Sequence, residues 1–395
     1  MVESSPIYDV IVVGAGPAGS TCAASCAKMG LNVALLEKEK QAGDASVCGG
    51  LLPAVVFDEF DIPPELISRK INGFKAYSPS GNKVLMHFST KGATTERSRF
   101  DKMLADKSVR QGAKLFTSTK AVSTVIQENH VKVISISKGE KIDFIGKIIV
   151  IANGPKSSLV EGIFGKIYDG LRFEIAIQKY YPLAENQDYS FFEAYHDPLL
   201  GYGLGWLSPL KDYAVVGAGI PLEEGRLLKK KFEEFITHYD IPKKIDSKKC
   251  LKVEGAVIPF DNFPKKLYSK RVLVVGDAAM LCNPFSGDGV YYAMKSGVFA
   301  AEVIVKAINS GDFSESRFAR YQKQLEENFR EQFKICLSMQ KQTYGSHKFA
   351  EKSLTNADSD FINFLERVIW TKKTKKLSLK DKWSLLIGMI KTKLG

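Results

Sequence analysis

The stretch Tyr8-Asp9-Val10-Ile11-Val12-Val13, running into Gly14-Ala15-Gly16-Pro17-Ala18-Gly19, leaves few folds open. A continuous apolar run of strand length passes into G-x-G-x-x-G and then into small residues of good helical content, Thr21-Cys22-Ala23-Ala24. Strand, tight turn and helix therefore come in the order a dinucleotide site needs. Gly14 serves the turn, Gly16 lets backbone approach a pyrophosphate, and Gly19 lets helix and strand pack closely with the anion at the helix N-terminus. A second strand over 32–36 ends at Glu37, about 20 residues past the glycines, where a carboxylate accepts hydrogen bonds from ribose hydroxyls. Lys38 follows it and joins the expected cofactor set. The alternative is a βα turn that holds no ligand.

At 395 residues and 45% hydrophobic content the chain can bury a large core in two or three domains or one elaborated one. Six cysteines lie scattered without zinc-ligand company, and five histidines lack ligand spacing, so a reducing compartment and no metal are expected. No run approaches the roughly 18 apolar residues of a membrane span. A cytoplasmic protein, peripheral on a membrane at most, is the expectation. The net charge of +12 is uneven: from Thr371 onward Lys372, Lys373, Lys375, Lys376, Lys380, Lys382, Lys391 and Lys393 face the single acid Asp381. Leu377, Trp383, Leu385, Leu386, Ile387 and Ile390 lie among them, a pattern that suits an anionic membrane surface or an acidic partner and not nucleic acid. A terminal helix with a solvated lysine face fits the same pattern.

Further along, Cys48-Gly49-Gly50 exposes backbone N–H groups to the close approach of a flat ligand, or is simply a turn. Residues 73–90 alternate as a hairpin around Ser78-Pro79-Ser80-Gly81-Asn82. Arg97-Ser98-Arg99-Phe100-Asp101 opens a helix, and 114–119, 121–127, 131–137 and 147–152 read as strands. From about 170 to 260 the chain turns to strands rich in aromatics, expected to form a separate antiparallel sheet walling a large apolar space. Gly217-Ala218-Gly219 lacks the third glycine and reads as a strand bend. The α/β pattern resumes at Arg271-Val272-Leu273-Val274-Val275-Gly276-Asp277. It continues through Pro284-Phe285-Ser286-Gly287-Asp288-Gly289-Val290 into a long helix, whose N-terminus and preceding acid suit a cofactor's polar edge.

Taken in order, residues 8 to about 310 resemble the FAD-containing aromatic hydroxylases and, within them, the archaeal-type geranylgeranyl reductases. The likeness rests on Gly14 to Gly19 with Glu37, on Arg97-x-x-Phe100-Asp101, on Gly276-Asp277-Ala278-Ala279 with Pro284-x-x-Gly287-x-Gly289, and on Cys48-Gly49-Gly50. It implies an α/β fold in which a Rossmann-like FAD-binding domain (1–72, 94–165 and 268–310) carries an inserted antiparallel-sheet substrate domain of the p-hydroxybenzoate-hydroxylase kind. That insert takes 73–93 and 166–267, and a C-terminal helical region with a basic tail takes 311–395. By the same resemblance Arg97 and the backbone at Val122 contact the adenosine side of FAD. Asp277 meets the ribityl region, and Gly287, Gly289 and Val290 meet the isoalloxazine edge. Cys48, Gly49 and Gly50 lie close to the ring. The reductases' Y-x-W-x-F-P appears as Leu204-Gly205-Trp206-Leu207-Ser208-Pro209, which keeps Trp206 and Pro209 and, with Tyr202, marks a substrate wall. The D-G-x-x-S of relatives that use NADPH appears as Asn153-Gly154-Pro155-Lys156-Ser157.

The activity implied is reduction of prenyl double bonds in isoprenoid lipids or prenyl diphosphates, with electrons from NAD(P)H or a reduced ferredoxin-like protein. An unactivated alkene takes hydride at one carbon and a proton at the other. Cys48 is the candidate proton donor, or else a small packing residue, and the other cysteines read as core. An FAD monooxygenase of the same fold and a non-catalytic isoprenoid carrier are the alternative functions.

Overall fold

The computed structural model describes residues 7–165, 172–260 and 263–372. The chain opens with β1 (Ile7–Val13), α1 (Pro17–Lys28) and β2 (Val33–Leu36), then β3 (Leu51–Leu52), α2 (Ala54–Glu59), β4 (Arg69–Tyr77) and β5 (Lys83–Thr94). It continues with α3 (Arg97–Arg110), β6 (Lys114–Phe116), β7 (Thr119–Ile126), β8 (Val131–Ser137), β9 (Glu140–Ile151) and α4 (Ser158–Phe164). Strands β10 (Arg172–Pro182), β11 (Phe192–Tyr195), β12 (Leu204–Pro209) and β13 (Tyr213–Pro221) precede α5 (Leu228–Phe235), α6 (Ile241–Lys244) and β14 (Lys252–Phe260). Then come β15 (Tyr268–Ser269), β16 (Val272–Val274) and α7 (Val290–Ser310). Helices α8 (Glu315–Leu325), α9 (Glu331–Thr343), α10 (His347–Thr355) and α11 (Ser359–Leu365) complete the described chain.

These elements make two sheets. The first runs β15-β16-β9-β1-β2-β6, with β7 and β8 as an antiparallel meander off β9. Its central strands are parallel and covered on both faces, which is why residues 10–13 of β1, β2, residues 148–151 of β9, and β16 read as unbroken apolar runs. The chain leaves β1 for β2 on one side and returns to β9 on the other, so a crevice opens at the carboxyl end of β1, where the glycine turn lies. Helices α1 and α7 cross so closely over this sheet that a Cβ on Gly297 would sit 2.5 Å from the Ala18 carbonyl oxygen. That contact sets the depth at which the N-terminus of α7 meets the crevice.

The second sheet runs β14-β10-β13-β12-β11-β4-β5-β3. It takes the chain earlier than the boundary expected at 73, because β3 and the first residues of β4 already pair with β5. Pairing, not local pattern, decides that edge. Helices cover part of the apolar surface expected to wall an open space. One side is covered by α5, with Phe232 and Phe235 buried against Tyr195, Leu207 and Ile220. On β4 and β5, C-terminal helices fill the apolar face, and Trp370 packs edge-on against Phe74 and Phe88 while its indole N–H donates to the Thr90 carbonyl at 2.8 Å. Gly217-Ala218-Gly219 is not a bend: β13 pairs without interruption from Tyr213 to Pro221, and Gly217 is needed because a Cβ there would strike the Trp206 indole at 2.1 Å. Four of the cysteines outside the 48–50 turn are buried as expected, but Cys250 is exposed. No helix among the described residues is long and apolar enough to cross a membrane. Residues 373–395, which carry most of the basic tail, lie outside the described residues.

Replacing Gly297 with valine should force α1 and α7 apart and lower unfolding free energy by about 1–3 kcal/mol, the usual range for an overpacked contact. Gly162→Ala in α4, where a Cβ meets nothing within 4 Å, should be neutral or stabilising in the same denaturant titration. Equal midpoints for the two variants would contradict the close crossing.

Candidate cofactor and active site

The glycine turn has the geometry its residues call for. Gly14 takes a φ of +104°, and a Cβ on it would lie 2.4 Å from the Ala152 carbonyl oxygen at the end of β9. A Cβ on Gly19 would lie 1.9 Å from the Gly14 oxygen, so helix and turn are in direct backbone contact. Gly16 differs: nothing of the protein comes within 4 Å of the position of its absent Cβ. That open approach fits a ligand that must touch the backbone, at the N-terminus of a helix with Pro17 at its start and no acid in its first turn. Ala15 N–H donates to Glu37 Oε2 at 2.9 Å and Glu39 N–H to Oε1 at 2.9 Å. The carboxylate is thereby held over the turn with acceptor capacity left on both oxygens. Lys38, exposed, pairs with Glu39 at 3.6 Å. Val122 falls where the β7–β8 register shifts, so the ladder skips its backbone groups and leaves them for other partners.

Charge gathers beyond the turn. Arg97, the first residue of α3, makes a two-point ion pair with Asp101, Nε to Oδ1 at 3.0 Å and Nη2 to Oδ2 at 3.1 Å, and Ser46 Oγ donates to the same carboxylate. Burial works against the Arg97 charge, but Asp101 and the thiol of Cys48 beside it more than offset this and raise its pKa. Asp277 follows β16, and its Oδ1 lies 3.1 Å from where Gly289 would carry a Cβ, at the N-terminus of α7. Its carboxyl is pushed up to about 6, chiefly by burial and also by Asp288 and Asp101, with Arg97 opposing. Gly287 has a φ of +68° against the Phe260 ring, and Val290 begins α7.

The 48–50 turn lies between this cluster and the second sheet. Gly50 has a φ of +79° and approaches Thr95 so closely that a Cβ would lie 2.2 Å from its carbonyl oxygen. Across the sheet, Trp206, Gly217, Gln178 and Glu254 stand in one row. Gln178 Nε2 is shared among the Cys48 carbonyl at 3.4 Å, Tyr180 Oη at 3.0 Å and Glu254 Oε2 at 3.1 Å. A Cβ on Gly49 would be 3.3 Å from Trp206 Nε1 and 3.6 Å from Ser208 Cβ. Trp206 Nε1 and Ser208 Oγ are both buried without a hydrogen-bond partner among the described residues. Buried polar atoms are nearly always paired, so two orphans beside one glycine mark a place that a ligand completes.

The structure thus gathers Cys48, Gly49, Gly50, Arg97, Asp277, Gly289 and Trp206 about one crevice. Pro209 is buried at the end of β12, its carbonyl accepting from Thr94 Oγ1 at 2.6 Å. Tyr202 stands apart on an exposed turn before β12, near Gly345, and not on the row that carries Trp206. Asp288 and Ser208 lay inside motifs already singled out yet received no role. Gln178 and Glu254 carried no local signal, since strand pairing alone brings them to Cys48.

Gly16→Val fills the open approach, so the purified protein should be colourless where the wild type is yellow; full flavin occupancy in the variant would remove the assignment. Asp277 gives a pH test. Its pKa is raised from 3.8 to about 6, so the folded chain holds this proton where the unfolded chain has lost it, and stability falls as pH rises through that window. In ligand-free protein, the stability advantage of Asp277→Asn over wild type should therefore grow from pH 4 to about 6 and level off above; a gap constant with pH would contradict it.

A family model described as lycopene cyclase protein matches residues 9–389. A digeranylgeranylglycerophospholipid reductase of Methanocaldococcus jannaschii is 31% identical over 338 residues, 83% of this chain and 84% of that one. A second reductase of that name, from Methanococcus aeolicus, is 28% identical over 90% of both chains. Among solved structures, a geranylgeranyl bacteriochlorophyll reductase-like protein from Thermoplasma acidophilum superposes with a TM-score of 0.83 at 24% identity, covering 97% of this chain and 96% of that one. A flavin-dependent brominase variant superposes at 0.77 and 19% identity over 97% and 98%, which reflects the shared two-sheet fold. The chain belongs to the lycopene cyclase protein family, among its geranylgeranyl reductases.

Proposed function

We propose that this chain is an FAD-dependent reductase that saturates double bonds in the geranylgeranyl or other prenyl chains of isoprenoid lipids or prenyl diphosphates. The observation that carries the reading is the placement of the Cys48 thiol. It sits beside the Arg97 guanidinium, on a turn held against the second sheet by Gln178 and the close approach of Gly49 to Trp206. The names of the M. jannaschii and M. aeolicus relatives agree with it.

The glycine turn and Glu37 would hold the adenosine and pyrophosphate of FAD, with Val122 offering backbone to the adenine side. Asp277 would meet the ribityl chain, and Gly287, Gly289 and Val290 the ring edge. Bound and reduced, the flavin supplies hydride. The protein supplies the rest. Cys48 gives its proton to the second alkene carbon, and Arg97, already next to the sulfur, stabilises the thiolate left behind. Gln178 holds the Cys48 peptide in place. Trp206 forms the wall over Gly49, with Pro209 behind it. Electrons arrive from NAD(P)H or a reduced ferredoxin-like protein, and contact with a membrane falls to the lysines beyond 372.

Under anaerobic conditions with dithionite, the wild-type protein should add two hydrogens per double bond to a geranylgeranyl lipid, read by mass spectrometry. Cys48→Ala should bind FAD and accept electrons normally but turn over about a hundredfold more slowly, the scale of a positioned general acid. Unchanged turnover would return Cys48 to a packing role. An inert lipid alongside rapid oxygen consumption with a phenol would favour a monooxygenase instead.

A further inference from the structure

Lys372 reads in the sequence as the first lysine of a basic tail, yet its side chain is only 2% exposed. Its Nζ lies 3.0 Å from Asp288 Oδ2 and 4.9 Å from the centre of the Tyr292 ring. Its backbone takes a left-handed φ of +55°, a conformation disfavoured for residues with a Cβ and kept where the surroundings over-determine it. The surroundings are specific: Trp370 is anchored on Thr90, Thr371 N–H donates to the Glu366 carbonyl at 2.9 Å, and Gln332 donates to the Val368 carbonyl. The chain is thus delivered to Asp288 from a fixed point.

Asp288 stands between Gly287 and Gly289. Its loop is closed on Asn283, whose Oδ1 accepts from Phe285 N at 2.9 Å and Ser286 N at 3.1 Å and whose N–H donates to the Asp288 carbonyl at 2.9 Å. The Asp288 carboxylate is buried without a directed hydrogen bond to either oxygen among the described residues, so its compensation comes from the Lys372 ammonium. Asp101 is matched by Arg97, and Asp277 has Arg97 nearby. Without Lys372, three carboxylates would share one guanidinium at the loop expected to meet the flavin, and removing one partner of a buried pair leaves an uncompensated charge.

We propose that Lys372 is a positioning residue of the cofactor site: through Asp288 it fixes the 283–289 loop and cancels its charge, so Lys372 itself belongs to the site and not to the tail. The inference rests on the flavin reading above.

The test uses full-length protein reconstituted with FAD. Dissociation constant and flavin midpoint potential are measured for wild type, Lys372→Arg, Lys372→Met, Asp288→Asn and the double variant Lys372→Met/Asp288→Asn. Lys372→Met should weaken FAD binding by about tenfold or more and make the potential more negative, as expected for an unpaired buried carboxylate. Lys372→Arg should stay near wild type, and the double variant should regain most of the lost affinity. If Lys372→Met does not fold, Asp288→Asn alone should bind FAD more weakly than the double variant, because it leaves the ammonium unpaired. Wild-type affinity and potential in Lys372→Met, or equal losses in the arginine and double variants, would overturn the proposal. A wild-type chain that takes up no FAD would sink the cofactor reading and this inference together, whereas normal uptake with unaltered variants sinks this inference alone.

Discussion

The guanidinium of Arg97 is the point at which the two sheets are tied to one site. It begins α3 directly after β5 leaves the second sheet, and Glu96 before it accepts from Tyr213 Oη of that sheet at 3.2 Å. Its own nitrogens grip Asp101 in the planar two-point manner that lysine cannot reproduce, and Ser46 ties the same carboxylate to the loop that leads into Cys48. A charge this enclosed is tolerable only while paired, and loss of one partner in such a pair typically costs about 3–5 kcal/mol. The position of the thiol, the geometry of the loop and the electrostatics of the crevice all follow from keeping that cation satisfied.

Around it the crevice is close to charge-balanced. Arg97 answers Asp101 and Lys372 answers Asp288, while burial raises the carboxyl of Asp277 above the usual carboxylate range. Such a crevice accepts a polar cofactor edge without a standing excess of negative charge. The second sheet adds a polar row of its own, Gln178 and Glu254 beside Trp206, so the wall facing the 48–50 turn is not the apolar surface its aromatic content suggests. The apolar bulk of that sheet is spent on α5 on one side and the C-terminal helices on the other.

Much of the fold was legible because its signals are local. The strand, glycine turn, helix and acid at Glu37 each follow from a few neighbouring residues, and the buried parallel strands announce themselves as apolar runs. The hairpin turn at 78–82 was equally plain. What escaped depends on contacts between distant segments. The glycine at 217 has no local reason; it makes room for Trp206 of the neighbouring strand. The early entry into the second sheet at Leu51 is a matter of pairing with β5. Lys372 looks like any tail lysine until Trp370 is placed against Thr90 and Gly92, after which its charge has one place to go.

Passage of electrons from protein-bound flavin to an isolated prenyl double bond can be followed by anaerobic rapid mixing. The flavin is reduced stoichiometrically, a geranylgeranyl lipid is added with no other acceptor present, and the return of oxidised flavin absorbance is followed in time. Reoxidation should rise in rate and saturate with lipid concentration, and should be absent with the fully saturated lipid. Flavin that stays reduced with every prenyl lipid, yet reoxidises as soon as oxygen is admitted, would contradict it.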